Sequence, residues 1–234
     1  NIYFTDIYFL DLFLKYEVIS YFFTIYCFLI IINGTNFIDG LNGLVIGYYI
    51  LTLAALLIFI LNKDISYDYS FIIIILTILA INFPFNLFGN NFLGDSGSYL
   101  VAFIVGYVLV DFYRSHSEIS ALFIVTLLWY PAFENLFSIV RKKIYKSDPS
   151  KPDTNHFHQL IFKFFMLKLK NKRQTNIISS LIINFYNLLV FLVAYYLFNS
   201  SIGLTILILF NAILYAYCYF FLLKKINLLK PKIN

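Results

Sequence analysis

Charge is scarce in this sequence of 234 residues: only 12% of side chains are ionisable, against 61% hydrophobic. A soluble domain carries about twice that share of charge and less apolar material. Mean hydropathy is +0.82. A globule in water is therefore excluded, and an integral membrane protein is expected. Alternating apolar and polar segments of the outer-membrane barrel kind are absent too, so the spans are helical. No Gly/Ser linker or internal repeat divides the chain, and residues 1–234 read as one membrane domain. No short signal-peptide pattern opens it. The only two cysteines, Cys27 and Cys218, lie in apolar runs with no disulfide or metal spacing, and read as small core residues. The abundance of Ile, Asn, Lys, Phe and Tyr reads as compositional bias without functional weight.

What is present is a series of apolar runs near the length of about 20 residues that a bilayer requires. We read seven: Tyr16–Ile32, Leu44–Leu61, Ser70–Phe88, Tyr99–Val110, Ile119–Val140, Ile177–Phe198 and Ile202–Leu223. Pro84 is expected to kink or end the third. The fourth is short and is expected to begin near Ser96. The fold class predicted is an all-α multi-span bundle of about seven transmembrane helices.

Basic residues set the orientation. Ten of the 17 lie between Arg141 and Arg173, and four more in the tail from Lys224. Two spans separate these groups, so both fall on one side, taken as the cytoplasm. Residues 139–175 then form a cytoplasmic loop. The same parity puts three polar loops on that face: "NGTNFIDGLNG", "FGNNFLGDSGS" and "SDPSKPDTNHFHQ".

In the first loop Asn33, Asn36, Asp39 and Asn42 recur every three residues, a polar stripe if helical. Gly34, Gly40 and Gly43 permit close backbone approach or act as caps. Such an amide-rich stripe with one carboxylate suits a sugar or nucleobase. In the second loop Asp95 stands between Gly94 and Gly97. It reads as a helix cap, with Ser96 and Ser98 as other candidates, or as a ligand of Mg²⁺ beside substrate phosphates. In the third, His156 and His158 lie on one side only if the backbone is extended, as Pro149 and Pro152 favour. A phosphate-binding or proton-exchanging pair fits them better than zinc, for which no further ligand has convincing spacing. A basic loop touching anionic headgroups is the competing reading. Glu134 and Arg141, seven apart, share a helix side, Glu134 either lining the site or pairing with a loop lysine. Asp111 and Arg114 read as a structural pair.

"NGTNFIDGLNGLVIG", "FNLFGNNFLGDSGSYLVAFIVG", "PAFENLFSIVRK" and "KPDTNHFHQLIF", in that order, resemble the motifs of the polyprenyl-phosphate N-acetylhexosamine-1-phosphate transferases (the MraY/WecA family, glycosyltransferase family 4). The resemblance implies transfer of an N-acetylhexosamine 1-phosphate from a UDP-sugar to undecaprenyl or another polyprenyl phosphate. UMP would be released at the cytoplasmic face of a bacterial inner membrane, in cell-envelope polysaccharide synthesis. It implies Asp95 as the metal ligand for Mg²⁺, with Mn²⁺ as an alternative. It implies Asp39, His156 and His158 as catalytic residues beside Asp95. Asn33, Asn36, Gly40, Leu41, Asn42, Phe92, Glu134 and Arg141 would bind substrate, Phe92 by stacking on uracil. A homodimer is compatible with it, and no nucleic-acid partner is expected. The last two spans resemble the WecA branch.

Three departures stand out. An upstream Asp-Asp loop common in the family has no counterpart here. With Asn rather than Met at position 1, the expectation is that N-terminal helices are missing. Asn90–Asn91 replace a common lysine, and Gln159 stands where a further histidine is frequent. Two other functions remain open: a non-catalytic fragment of such a transferase, and a secondary transporter with broken helices at residues 34–43 and 89–97.

Overall fold

The computed structural model describes residues 1–144 and 155–229, and all regular structure among them is helical. The helices are α1 (Tyr8–Leu14), α2 (Glu17–Ile38), α3 (Leu44–Asn62), α4 (Ser70–Leu87), α5 (Gly94–Ser115), α6 (Ala121–Leu127), α7 (Trp129–Ile144), α8 (Phe157–Leu169), α9 (Lys172–Tyr196) and α10 (Ser201–Leu229). Six of them are long and apolar enough to cross a membrane. Pro149, Pro152, Asp153 and the tail lysines Lys230 and Lys232 lie outside the described residues.

α3 is the axis of the bundle. It is apolar all round, as a helix buried on every side should be. Tyr48, Tyr49, Leu53, Leu56 and Phe59 are fully enclosed. α4 and α9 pack along it, while α2 pairs with α5 and α7, and α8 lies on α9 and α10. Outward faces of α2, α4 and α10 carry large exposed side chains such as Phe22, Ile74, Ile81, Phe210 and Ile213. Lipid is the solvent such faces match. Cys27 and Cys218 are half-buried free thiols.

The fifth predicted span, Ile119–Val140, is not one helix. It breaks at Leu128, and α6 and α7 meet with a bend of 76°. Pro131 is the cause. It has no N–H to offer the Leu127 carbonyl four residues back. In lipid a freed carbonyl must be satisfied inside the protein. Tyr48 donates its hydroxyl to that oxygen at 2.9 Å, and Thr52 at 3.3 Å. Trp129 secures the turn by donating its indole N–H to Asn187 Oδ1 at 2.9 Å. The bend lets α7 lie along α2, where Asn135 donates to the Ile30 carbonyl at 3.1 Å.

Other predicted boundaries also shift. Pro84 does not end the third span: α4 continues three residues past it, to Leu87. α5 starts at Gly94 rather than near Ser96. Asp111 accepts from Tyr67 at 3.0 Å, and among the described residues no ion pair joins it to Arg114.

Close approach of α2 to α7 depends on Gly34. A Cβ built there would lie 2.0 Å from the Pro131 carbonyl oxygen, which is backbone and cannot swing aside. Gly34→Ala is expected to cost roughly 2 kcal/mol or more, at the upper end of overpacking penalties. At Gly106 an added Cβ would meet only the Phe28 ring, at 3.1 Å, so Gly106→Ala should cost less. Thermal unfolding of the two variants in detergent, side by side, checks the order.

Candidate functional site

Three helix ends converge. α2 stops at Ile38, leaving Asp39 as its C-cap. The chain then turns through Gly40–Gly43 into α3, with Gly43 in the left-handed region at φ 81°. Asparagines hold this turn from both sides. Asn86 of α4 accepts from the Gly43 N–H at 2.7 Å, and Asn184 of α9 donates to the Gly43 carbonyl at 3.0 Å. Asn176 of α9 accepts from the Asn42 N–H at 3.2 Å and donates to its carbonyl at 3.1 Å. None of these three asparagines was singled out from the sequence. For Asn176 and Asn184 the available signal is their spacing: positions 176, 180, 184 and 187 put Asn, Ser, Asn and Asn on one side of an apolar helix.

The polar stripe is shorter than its spacing suggests. Asn42 lies beyond the end of α2 and cannot continue it. Asn33 is exposed and donates back to the Leu29 carbonyl at 2.8 Å, apart from the cluster. Asn36 is the member that reaches across, donating to Asp95 Oδ1 at 2.9 Å. Asp95 is no cap. It sits inside the first turn of α5, whose N-cap is Leu93 with no side-chain hydrogen bond. Ser98 instead donates to the Asp95 carbonyl at 2.9 Å and lies 3.4 Å from the Asn36 amide. A Cβ at Gly94 would have no neighbour within 4 Å, so the space beside Asp95 is open. Burial, and secondarily the Asp95 charge, push the Asp39 carboxyl up to about 7.

That pair of carboxylates bears on the metal. Among the described residues no group of three or more His, Cys, Asp or Glu could cage an ion. Mg²⁺ needs no such cage: one or two carboxylates, water and substrate phosphates suffice. Asp95 with open space around it, and Asp39 strained by its charge, fit that requirement. An acid poised near neutral pH can also exchange a proton with phosphate.

The histidines join from α8. His156 is its N-cap in extended conformation, and His158 lies in the first turn. An extended strand is thus not needed to align them: their rings stack at 5.8 Å and 14°. Gln159, in the place of the extra histidine, fastens the N-cap by accepting from the His156 N–H at 3.1 Å. Glu134 of α7 is buried and pairs with no lysine among the described residues. Its Oε1 lies 2.9 Å from His156 Nδ1, and its Oε2 accepts from Tyr215 of α10 at 2.6 Å. A neutral imidazole donating through Nδ1 keeps Nε2 as the acceptor. Phe37 packs on the same ring at 5.1 Å. Arg141 is buried one helix face down, donating to Ser138 at 3.3 Å and lying over the Tyr219 ring at 5.6 Å.

His158 is fully buried, and neither ring nitrogen has a hydrogen-bond partner among the described residues. Its Nε2 occupies the space where a Gly40 side chain would be, 2.3 Å from an ideal Cβ. A buried polar atom without a partner points to a missing one. Beside this turn opens a cavity of about 620 Å³ lined by Gly40, Leu41, Asn42 and Phe92, with Phe88 and Gln159. Phe92 is 77% exposed, an aromatic face free to stack.

Burial is the larger cause that lowers His158 to about 4, with the nearby Glu134 opposing it. The unfolded chain, near the ordinary value of about 6.5, binds the proton more readily. The stabilisation is complete above about pH 6.5 and is lost as pH falls toward the folded value, roughly 3 kcal/mol in all. Asp39, raised to about 7, has the opposite sign and gains stability as pH falls over the same range, so the His158 effect is read as a difference: the midpoint of thermal unfolding of the wild type relative to His158→Gln should drop between pH 6.5 and 4.

The sequence model described as Glycosyl transferase family 4 matches residues 1–113. Among curated proteins, the chain is 26% identical over 188 residues to a probable undecaprenyl-phosphate N-acetylglucosaminyl 1-phosphate transferase of Bacillus subtilis, covering 79% of this chain and 50% of the relative. It is 30% identical over 156 residues to the decaprenyl-phosphate N-acetylglucosaminephosphotransferase of Mycolicibacterium smegmatis, covering 57% and 38%. To an undecaprenyl-phosphate alpha-N-acetylglucosaminyl 1-phosphate transferase of Thermotoga maritima it is 29% identical over 129 residues, covering 55% and 38%. The chain thus spans half or less of the length of these relatives. No solved structure matches significantly. The matched residues contain the Asn36–Asp39 and Asp95 loops that the structure brings together, and over this N-terminal half the chain is similar to glycosyl transferase family 4.

Proposed function

We propose that this site transfers an N-acetylhexosamine 1-phosphate from a UDP-sugar to a polyprenyl phosphate, releasing UMP at the cytoplasmic face. The observation that carries this reading is the meeting of three loops distant in sequence. Asn36 touches Asp95, and His158 fills the place beside Gly40. The names of the relatives point the same way.

The reaction has an acceptor phosphate oxygen attack the β-phosphorus of the UDP-sugar while the bond to the α-phosphate oxygen breaks. Both partners are anionic, so charge at the diphosphate dominates the barrier. Mg²⁺ held at Asp95, with Asp39 beside it, would neutralise that charge. The acceptor phosphate, with a second pKa of about 6 by analogy with phosphorylated side chains, is largely dianionic at neutral pH. It needs little help from a base, and Asp39 suffices to take the proton of the remaining fraction. Asn36 keeps Asp95 aimed. His156, set by Glu134 and Tyr215, presents Nε2, and neutral His158 offers the N–H of one unpartnered nitrogen to the diphosphate. Phe92 and the Gly40–Asn42 turn receive the nucleoside. The basic stretch from Arg141 and the lipid-matched outer faces suit a membrane-bound acceptor.

Asp95→Asn keeps the shape and the bond from Asn36 but removes the charge. It should lower UMP release from UDP-N-acetylglucosamine with undecaprenyl phosphate by at least about a hundredfold, and abolish its dependence on added Mg²⁺. The assay belongs in the intact natural protein. Wild-type turnover and metal dependence in the variant would reduce Asp95 to a helix residue. Topology supplies a separate check. Cysteines placed at 39, 95 and 156 should react with an impermeant thiol reagent from the cytoplasmic side, and one at 66 from the outside.

A further inference from the structure

The cavity beside the Gly40–Asn42 turn has a second wall that none of the four sequence motifs supplies. Besides the turn and Phe92 it is lined by Lys163 of α8 and by Lys172, Arg173 and Asn176 of α9. Three cations and no carboxylate border it among the described residues. Arg173 is directed by Phe88, over whose ring its guanidinium lies at 5.5 Å. Asn176, one helical turn further on, is bonded through both ends of its amide to the main chain of Asn42. The start of α9 is therefore held in fixed register with the turn.

A mouth of this charge selects oxyanions, and a guanidinium held in one direction gives them geometry as well as attraction. The aromatic ring of Phe92 and the glycine-lined turn offer the complementary apolar end. We propose that the first turns of α9 form the phosphate-binding wall of the nucleotide cavity. Arg173 and Lys172, faced by Lys163, take the diphosphate oxyanions, and Asn176 is the positioning residue that keeps the turn and this wall in register. This rests on the donor reading above. It makes the C-terminal helices part of the donor site as well as part of the membrane scaffold.

Equilibrium binding of uridine, UMP and UDP to the intact protein in neutral detergent tests it by calorimetry. The wild type should bind more tightly along that series. Lys172→Gln with Arg173→Gln should weaken UDP about tenfold or more while leaving uridine unchanged. Both side chains are exposed, so folding should tolerate the change. Asn176→Ala should weaken uridine and UDP together, with one site per chain retained; simple misfolding would lower the number of sites, not the affinity. If the double variant keeps the full gain from uridine to UDP, the cations serve lipid headgroups and the proposal is overturned. A wild type that binds inorganic pyrophosphate through Arg173, but prefers no uridine compound over its adenosine counterpart, would uphold the anion wall and sink the donor reading.

Discussion

Main-chain polar groups cannot be left bare once they are buried, and this constraint shapes the molecule at two of the places where its helices break. At Leu128 the carbonyl freed by Pro131 is met by two hydroxyls of α3. At Gly43 both the N–H and the carbonyl are met by asparagines of α4 and α9. Neither break would survive without partners on neighbouring helices. Each is therefore a point where the bundle is tied together, and each stands next to the candidate chemistry.

The first break turns α7 along α2 and carries Glu134 to the histidines. The second leaves Gly40 bare, so the His158 ring can lie against the turn. α10 closes the rear through Tyr215 and the Tyr219 ring over which Arg141 lies. The polar groups of the three motif loops thus cluster at one end of the bundle, while Lys63, Asp64, Asp68, Arg114 and Glu118 are exposed in other connections. Asp95 stays exposed at the rim while Glu134 and His158 are enclosed. An exposed carboxylate suits a hydrated cation, and enclosed groups suit hydrogen bonds of fixed direction.

Much of this was legible in the sequence because lipid imposes a simple code. Continuous apolar runs located the membrane helices to within about two turns at each end, and counting them assigned the loops around Asp39, Asp95 and His156 to one face. The fifth span hid its break because Pro131 lies inside an unbroken apolar run, where hydropathy cannot register a change of direction. The asparagines of α9 were masked by a composition rich in Asn throughout. Their partners are main-chain atoms some 134 and 141 positions away, which no local pattern can indicate. Asp95 looked like a cap because a carboxylate between glycines satisfies that pattern equally well; only the reach of Asn36 from another helix distinguishes the two.

The Gly43 clamp has a consequence for motion. Its amide hydrogen is shielded by an Asn86 oxygen and its carbonyl by an Asn184 nitrogen. Solvent deuterium can replace that hydrogen only when α4 draws away from the turn, an opening that would also separate Phe88 and Asn42 across the cavity. The exchange rate of one glycine amide thus counts how often the bundle parts at the end that holds the candidate site.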